Sequence, residues 1–156
     1  MGNSTVQQRQ REDTIDQLNI LLCDELSAIM SYDQALRRMV SPPQFVLGEN
    51  RESHKRRSIL LADAISAQGR ISDTGIVIWG AFGHGRSCDD HPIDRRVAIV
   101  DLLEGEDRLL ARYETARTRV DDRHRQLIAE LMPAQEVTRG RISFLWMSGT
   151  PPPPLR

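Results

Sequence analysis

Two stretches of the chain carry the same pattern of apolar, acidic and aromatic residues at the same offsets. In both, the apolar residues recur at the three- and four-residue spacing of an amphipathic helix. One glutamate interrupts the apolar face of each stretch, and a tyrosine follows it seven residues later. The matching positions are Leu22, Glu25, Ile29, Tyr32 and Ala35 in the first stretch and Leu103, Glu106, Leu110, Tyr113 and Ala116 in the second. The repeat indicates an internally duplicated helical hairpin.

Glycine and proline divide the chain into four long helical segments. The first, residues 12–40, contains neither residue and ends before two prolines. The second, residues 44–68, is closed by Gly69, a residue suited to a left-handed helix end. The third and fourth are residues 94–118 and residues 120–147.

Two features qualify this division. Pro133 is expected to kink or restart the fourth helix. Residues 70–93 are rich in glycine and form a long connection with room for a short helix, and their one β-prone run, residues 76–79, is too little for a sheet. We therefore expect an all-α, up-down-down-up four-helix bundle whose long crossover joins the second and third helices.

Composition limits the classes to which the protein can belong. The chain has 156 residues and 17.7 kDa, with 39% hydrophobic and 28% charged residues, which predicts one globular domain. A formal net charge of −1 argues against a dedicated nucleic-acid-binding protein, and the apolar runs are too short to span a membrane. No secretory signal is visible, and two cysteines form no disulfide framework, so a cytoplasmic location is expected. The expected divisions are a polar tail at 1–13, the bundle at 14–147 and a proline-rich tail at 148–156.

The two glutamates of the repeat need partners inside the bundle. A carboxylate in an apolar core carries a desolvation cost of several kcal/mol unless a cation, a metal or hydrogen bonds compensate it. On the second helix, His54 shares a face with Leu47 and Leu61. Glu25, His54 and Glu106 could therefore converge at one level, and their oxygen and nitrogen atoms suit iron, manganese or zinc.

The chain resembles the ferritin-like superfamily and, within it, a bacterial family of ferritin-like four-helix-bundle proteins of unknown function. The resemblance covers about residues 14–147. The stretches that carry it are residues 18–26, 52–54, 67–69 and 102–113, together with Gly80 and His84 of the crossover.

In ferritin-like di-iron proteins, the first and third helices each supply a glutamate, and the second and fourth each supply Glu-x-x-His. By resemblance, Glu25 and Glu106 correspond to the two single glutamates and His54 corresponds to the histidine of the second helix. The resemblance also places Tyr32 and Tyr113 beside the metal ligands.

The sequence departs from this pattern on both remaining helices. Arg51 stands three residues before His54, where the pattern has a glutamate. In the second half, the counterpart of His54 is Gln135; Glu136 follows it, and Arg139 stands where a histidine belongs. Either arginine could take over the charge of the missing metals by pairing with the buried glutamates.

Three alternatives remain open for the centre: a metal-free bundle, a weak iron or manganese site with Glu25, His54 and Glu106 as ligands, and a working di-iron oxidase. The leading interpretation is a cytoplasmic bundle with a degenerate di-metal site that acts by binding or self-association. The alternative is an iron or manganese oxidoreductase or an iron-handling protein. The expected partner is a second copy of the chain, bound through the apolar flank Ile20, Leu26 and Met30; no nucleic-acid or membrane partner is expected.

Overall fold

The computed structural model of the chain describes residues 2–72, 75–83 and 91–149. Its helices are α1 (Gly2–Arg38), α2 (Gln44–Ala67), α3 (Gly80–Gly83), α4 (Arg95–Arg119) and α5 (Asp122–Gly149). Within these ranges no strand forms, and the one β-type pairing is an isolated bridge between Met39 and Ile93. The all-α prediction is confirmed, and the crossover carries a short helix. His84 and residues 150–156 of the proline-rich tail lie outside the described residues.

The long helices pack in the order that the predicted topology requires. α1 packs against α2 and α4, and α4 packs against α5. On both α1 and α4 the tyrosine follows the glutamate by seven residues. The hydroxyl of Tyr32 binds Glu106 and that of Tyr113 binds Glu25, so the two helices run antiparallel. The predicted up-down-down-up bundle with a long crossover is confirmed.

Helix α1 begins ten residues earlier than the apolar spacing predicts. Residues 2–12 are exposed, so no apolar periodicity marks them, yet no proline interrupts them and most of their side chains are compatible with a helix. Tertiary contacts hold the end of this segment: Gln10 donates to the carbonyl of Arg119, and Asp13 pairs with the Arg119 guanidinium at 2.9 Å. The proposed division at residue 13 is not marked by a helix end and stays a prediction.

The other helix ends lie within two residues of the predicted ones. Gly69 has φ +70°, the left-handed conformation expected after α2. α1 ends at Arg38 because residue 40 leaves the helix to pair with the crossover, its backbone N–H donating to the carbonyl of Ile93 at 3.3 Å. The sequence predicts that Pro133 kinks or restarts the fourth helix. The restart is wrong, since α5 continues through Pro133, and the kink stays a prediction. Proline leaves the carbonyl of Ala129 without its helical donor, and Ala129 lies on the exposed side, where water can bind.

The crossover is fastened to α1 by two hydroxyls of that helix. The backbone N–H of Val77 donates to Oγ of Ser27 at 3.0 Å, and that of Trp79 donates to Oγ of Ser31 at 2.9 Å. These contacts bind two backbone N–H groups of the β-prone run, residues 76–79, without strand pairing. None of the described helices combines the length and hydropathy needed to cross a membrane.

Candidate functional site

Three polar side chains meet at one level of the bundle and are shielded from solvent. Glu25 on α1, His54 on α2 and Glu106 on α4 are each 0% exposed. The imidazole lies between the carboxylates, with Nδ1 2.6 Å from Oε2 of Glu25 and Nε2 3.0 Å from Oε1 of Glu106. The structure therefore brings the three predicted residues together as hydrogen-bonded neighbours.

A fourth side chain, Arg57 of α2, lies beside His54 and is 2% exposed. Its Nε donates to Oε1 of Glu25 at 2.7 Å, its Nη1 to Oγ of Ser53 at 2.8 Å and its Nη2 to Oε1 of Gln135 at 2.9 Å. The same Nη2 is 2.7 Å from Nδ1 of His54. Because Nδ1 also faces the Glu25 carboxylate, we assign a proton to Nδ1, which donates to Oε2 of Glu25. Its contact with Nη2, itself a donor, is then a close donor–donor contact and not a hydrogen bond. A buried guanidinium of this kind is held by its carboxylate partner.

Each buried tyrosine binds the glutamate of the other repeat. Tyr113 donates to Oε1 of Glu25 and Tyr32 donates to Oε1 of Glu106, both at 2.5 Å. Burial raises the pKa of both phenols well above the ordinary value, and the facing carboxylates raise it further. Both tyrosines therefore stay protonated and act as permanent donors to the carboxylates.

The second half of the bundle satisfies its glutamate at the same sequence offsets as the first. Gln135, the counterpart of His54, donates from Nε2 to Oε2 of Glu106 at 2.7 Å. Thr138, the counterpart of Arg57, donates from Oγ1 to the same oxygen at 2.9 Å. The duplication that α1 and α4 indicate thus extends to α2 and α5.

Burial and ion pairing act in opposite directions on the ionisable groups. Burial raises the pKa of Glu25, but the charges of His54 and Arg57 outweigh it, so this pKa lies below its ordinary value. Burial lowers the pKa of His54, but the carboxylates of Glu106 and Glu25 outweigh it, so this pKa lies above its ordinary value. Burial also lowers the pKa of Arg57, but the Glu25 carboxylate outweighs it, so this pKa lies above its ordinary value. The lowered pKa of Glu25 and the raised pKa values of His54 and Arg57 are those of groups stabilised in their charged forms by ion pairing.

The crossover closes the cluster with an indole. The ring of Trp79 is centred 6.3 Å from that of His54 and 6.4 Å from that of Tyr32. A Cβ at position 105 would lie 2.1 Å from Cε3 of Trp79, so this position of α4 requires glycine. A glycine inside a long helix signals such a close approach, and this signal was available in the sequence.

Three residues predicted beside the centre lie elsewhere. Arg51 pairs with Asp33 at 2.7 Å and Arg139 pairs with Asp107 at 2.6 Å, in both cases between partly exposed side chains. Glu136 is exposed on α5. The prediction that Arg51 or Arg139 neutralises the buried glutamates is wrong, because antiparallel packing places Arg51 at the level of Asp33, two helical turns from Glu25.

The sequence interpretation missed Arg57 and Asn50. Arg57 follows His54 by three residues and precedes Leu61 by four, so helical spacing places it on their buried face. Asn50 is 0% exposed and donates from Nδ2 to the hydroxyl of Tyr32 and to the carbonyl of Thr138, both at 3.0 Å. Both residues lie in the row Leu47, Asn50, His54, Arg57 and Leu61, whose helical spacing marks them in the sequence as polar residues on an apolar face.

The donor set does not fit a metal centre. Among residues 2–72, 75–83 and 91–149, no group of three or more His, Cys, Asp and Glu side chains could hold a metal ion. The two nitrogens of His54 face opposite carboxylates, which keeps Glu25 and Glu106 apart. Every carboxylate oxygen of the pair already accepts at least one hydrogen bond from the protein, and Arg57 supplies a fixed positive charge.

Comparison with known proteins supports the architecture. The chain is similar to a structure described as a ferritin-like, diiron-carboxylate protein from Bacillus anthracis str. Ames. The TM-score is 0.61 at 17% sequence identity, over 89% of this chain and 94% of that chain. No protein-family model and no curated protein matches the chain, so the resemblance to a particular bacterial family stays a prediction. The chain has the ferritin-like fold.

Proposed function

We propose that this protein acts by binding rather than by turnover, as a homodimer joined through the exposed face of α5. The observation that carries the proposal is a row of exposed residues on α5 with alternating spacings of four and three. We call this row the α5 stripe; it consists of Pro133, Val137, Gly140, Phe144 and Met147. A 4-3-4-3 spacing is that of a coiled-coil seam, whose side chains normally pack into a second helix.

The exposure of the stripe is unusual for an unpartnered helix. Val137 is 50% exposed, Phe144 66% and Met147 63%. Apolar side chains in a continuous row mark an interaction surface, whereas scattered ones need no explanation. From Pro133 to Met147 the stripe is about 21 Å long at about 1.5 Å per residue.

The stripe is complementary to itself. A Cβ built at Gly140 meets no atom within 4 Å, so this position leaves open space on the helix surface. In an antiparallel pair, Phe144 of one copy lies opposite Gly140 of the other, and Val137 lies opposite Met147. Residues 142–149 contain no charged side chain, and Arg141 reaches back to Oδ1 of Asn50 at 3.3 Å, so little like-charge repulsion opposes the pairing. These features favour a second copy of the chain as the occupant.

The buried cluster supports a structural role. Its carboxylates and imidazole are 0% exposed, so a substrate has no route to them without opening the bundle. General acid–base catalysis requires a reacting group within hydrogen-bond reach of the acid or base, and here protein groups occupy those positions. We infer that the cluster fixes the alignment of the four helices and that recognition takes place on the surface, in the cytoplasm.

Light scattering tests the dimer. We expect the wild-type chain to have twice its 17.7 kDa mass at micromolar concentration. Phe144→Ser is expected to return it to a monomer with unchanged helix content. Ile59→Ser is the matched control, because Ile59 is 59% exposed on a different helix, α2.

The same measurement separates two surfaces. Ile20→Ser reports on the apolar flank of α1, where Ile20 is 36% and Met30 is 38% exposed while Leu26 packs against the core. If Ile20→Ser dissociates the dimer and Phe144→Ser does not, the interface lies on α1. A wild-type chain that is monomeric at every concentration would reject self-association altogether.

The second candidate is an iron- or manganese-binding protein. It is favoured by the similarity to a structure described as a diiron-carboxylate protein. Arg57 weighs against it, since a cation already lies against the Glu25 carboxylate. Counting iron and manganese per chain after purification without chelator tests it: near-stoichiometric metal that Glu25→Gln removes would favour this candidate.

A further inference from the structure

The surroundings of Arg57 are those of a bound cation. Three oxygen acceptors lie within 2.9 Å of its nitrogens: Oε1 of Glu25, Oγ of Ser53 and Oε1 of Gln135. They come from three helices, α1, α2 and α5. Carboxylate, hydroxyl and amide oxygens together with an imidazole are also the donors that divalent metals such as Mn²⁺ and Co²⁺ accept.

We propose that Arg57 is the resident cation of this cluster and that its guanidinium keeps the Glu25 side of the wild-type cluster closed to divalent metal. The side chain fills the space between Glu25 and Gln135, so an ion cannot approach their oxygens while it is present. Its positive charge also repels a dication at the same distances. In the second half of the bundle, the counterpart of Arg57 is Thr138, which is neutral and does not repel a metal ion. There the oxygens of Glu106 are already bound by four protein donors.

Removal of Arg57 takes away both the side chain that fills the space and the positive charge that repels a metal ion. It leaves an oxygen-lined cavity between α1, α2 and α5, and it leaves two carboxylates facing His54 as their only neighbouring cation. A divalent ion can restore the balance of charge and can use oxygens that the guanidinium held. The variant chain is therefore expected to bind metal where the wild-type chain does not.

The contrast between wild type and Arg57→Ala tests the proposal. Co²⁺ is the probe, because visible absorption reports its coordination directly. We expect Arg57→Ala to bind about one Co²⁺ per chain at least about 100-fold more tightly than wild type and to unfold at a higher temperature when Co²⁺ is present. Arg57→Lys keeps the positive charge and is expected to remain closed.

Two further variants locate the ion. Glu25→Gln in the Arg57→Ala background is expected to abolish Co²⁺ binding, whereas Arg51→Ala in the wild-type background should change nothing, because Arg51 pairs at the surface with Asp33. The proposal is overturned if wild type binds Co²⁺ as tightly as Arg57→Ala, or if Arg57→Ala binds none. A variant that remains unfolded at every Co²⁺ concentration overturns it as well. None of these results depends on the oligomeric state, so they are independent of the dimer proposal.

Discussion

The indole of Trp79 occupies the space that a side chain at Gly105 would need. A Cβ there would lie 2.1 Å from Cε3 and 2.2 Å from Cδ2 of the ring, well inside van der Waals contact. Trp79 is 5% exposed, and its ring stands against His54 and Tyr32. One glycine in α4 thus lets the crossover cover the buried cluster.

Gly105→Ala is expected to lower the free energy of unfolding by about 1–3 kcal/mol, because the methyl group displaces a ring that cannot move without opening the core. Urea unfolding followed by circular dichroism measures the change. Gly48→Ala is the matched control: Gly48 is also helical, and its Cβ would meet nothing within 4 Å. That variant should gain up to about 1 kcal/mol from helix propensity. Equal effects of the two substitutions would contradict the packing of Trp79.

Removal of either buried phenol should weaken the fold without disturbing its shape. Tyr113→Phe deletes the bond to Oε1 of Glu25 and Tyr32→Phe deletes the bond to Oε1 of Glu106. Each loss of a hydrogen bond to a charged acceptor should cost about 1.5–3 kcal/mol in the free energy of unfolding. Ser148→Ala, which removes an exposed hydroxyl, should change it by less than about 0.5 kcal/mol. Tyrosine variants as stable as the Ser148 variant would show that the phenol bonds contribute little.

The two arginines near His54 should differ sharply in their contribution to stability without metal. Arg57→Ala leaves a buried carboxylate without its fixed cation and is expected to cost about 3–5 kcal/mol. Arg51→Ala removes a surface ion pair and should cost no more than about 1 kcal/mol. Unfolding curves of the two variants under the same conditions compare them directly. A small cost for Arg57→Ala would mean that the guanidinium does not hold Glu25.

The cluster predicts a stability maximum in mildly acidic solution. The pKa of His54 in the folded state is raised above 6.5. Its contribution to the free energy of unfolding is therefore complete below pH 6.5 and is lost as pH rises through the folded-state pKa. The pKa of Glu25 is lowered below 4.5, so its contribution is complete above pH 4.5 and is lost as pH falls through the folded-state pKa.

Urea unfolding across this range tests the effect, with His54→Gln as the comparison. Glutamine is the residue that the second half of the bundle uses at the corresponding position, Gln135, and it cannot titrate. In this variant the free energy of unfolding should no longer fall as pH rises above 6.5, but it should still fall as pH drops below 4.5. A wild-type chain whose stability rises steadily from pH 6.5 towards pH 9 would contradict the assignment of an imidazolium to His54.

The amino-acid sequence by itself determined the helices, their order and the duplicated pair of buried glutamates. Helical periodicity is a local property, so the spacing around Glu25 and Glu106 was sufficient to place both on buried faces. It also placed His54 among leucines and identified Gln135 as its counterpart. The helical conformation of residues 2–12 was not predicted, because a fully exposed helix has no periodic apolar residues.

Only the tertiary structure decided which arginine neutralises the cluster. Arg51 and Arg57 stand three residues on either side of His54, so periodicity assigns them equivalent positions on α2. Antiparallel packing breaks the equivalence, because it sets Arg51 beside Asp33 and Arg57 beside Glu25. A helix pattern fixes the direction in which a side chain points, but the register between two helices depends on the whole packed core.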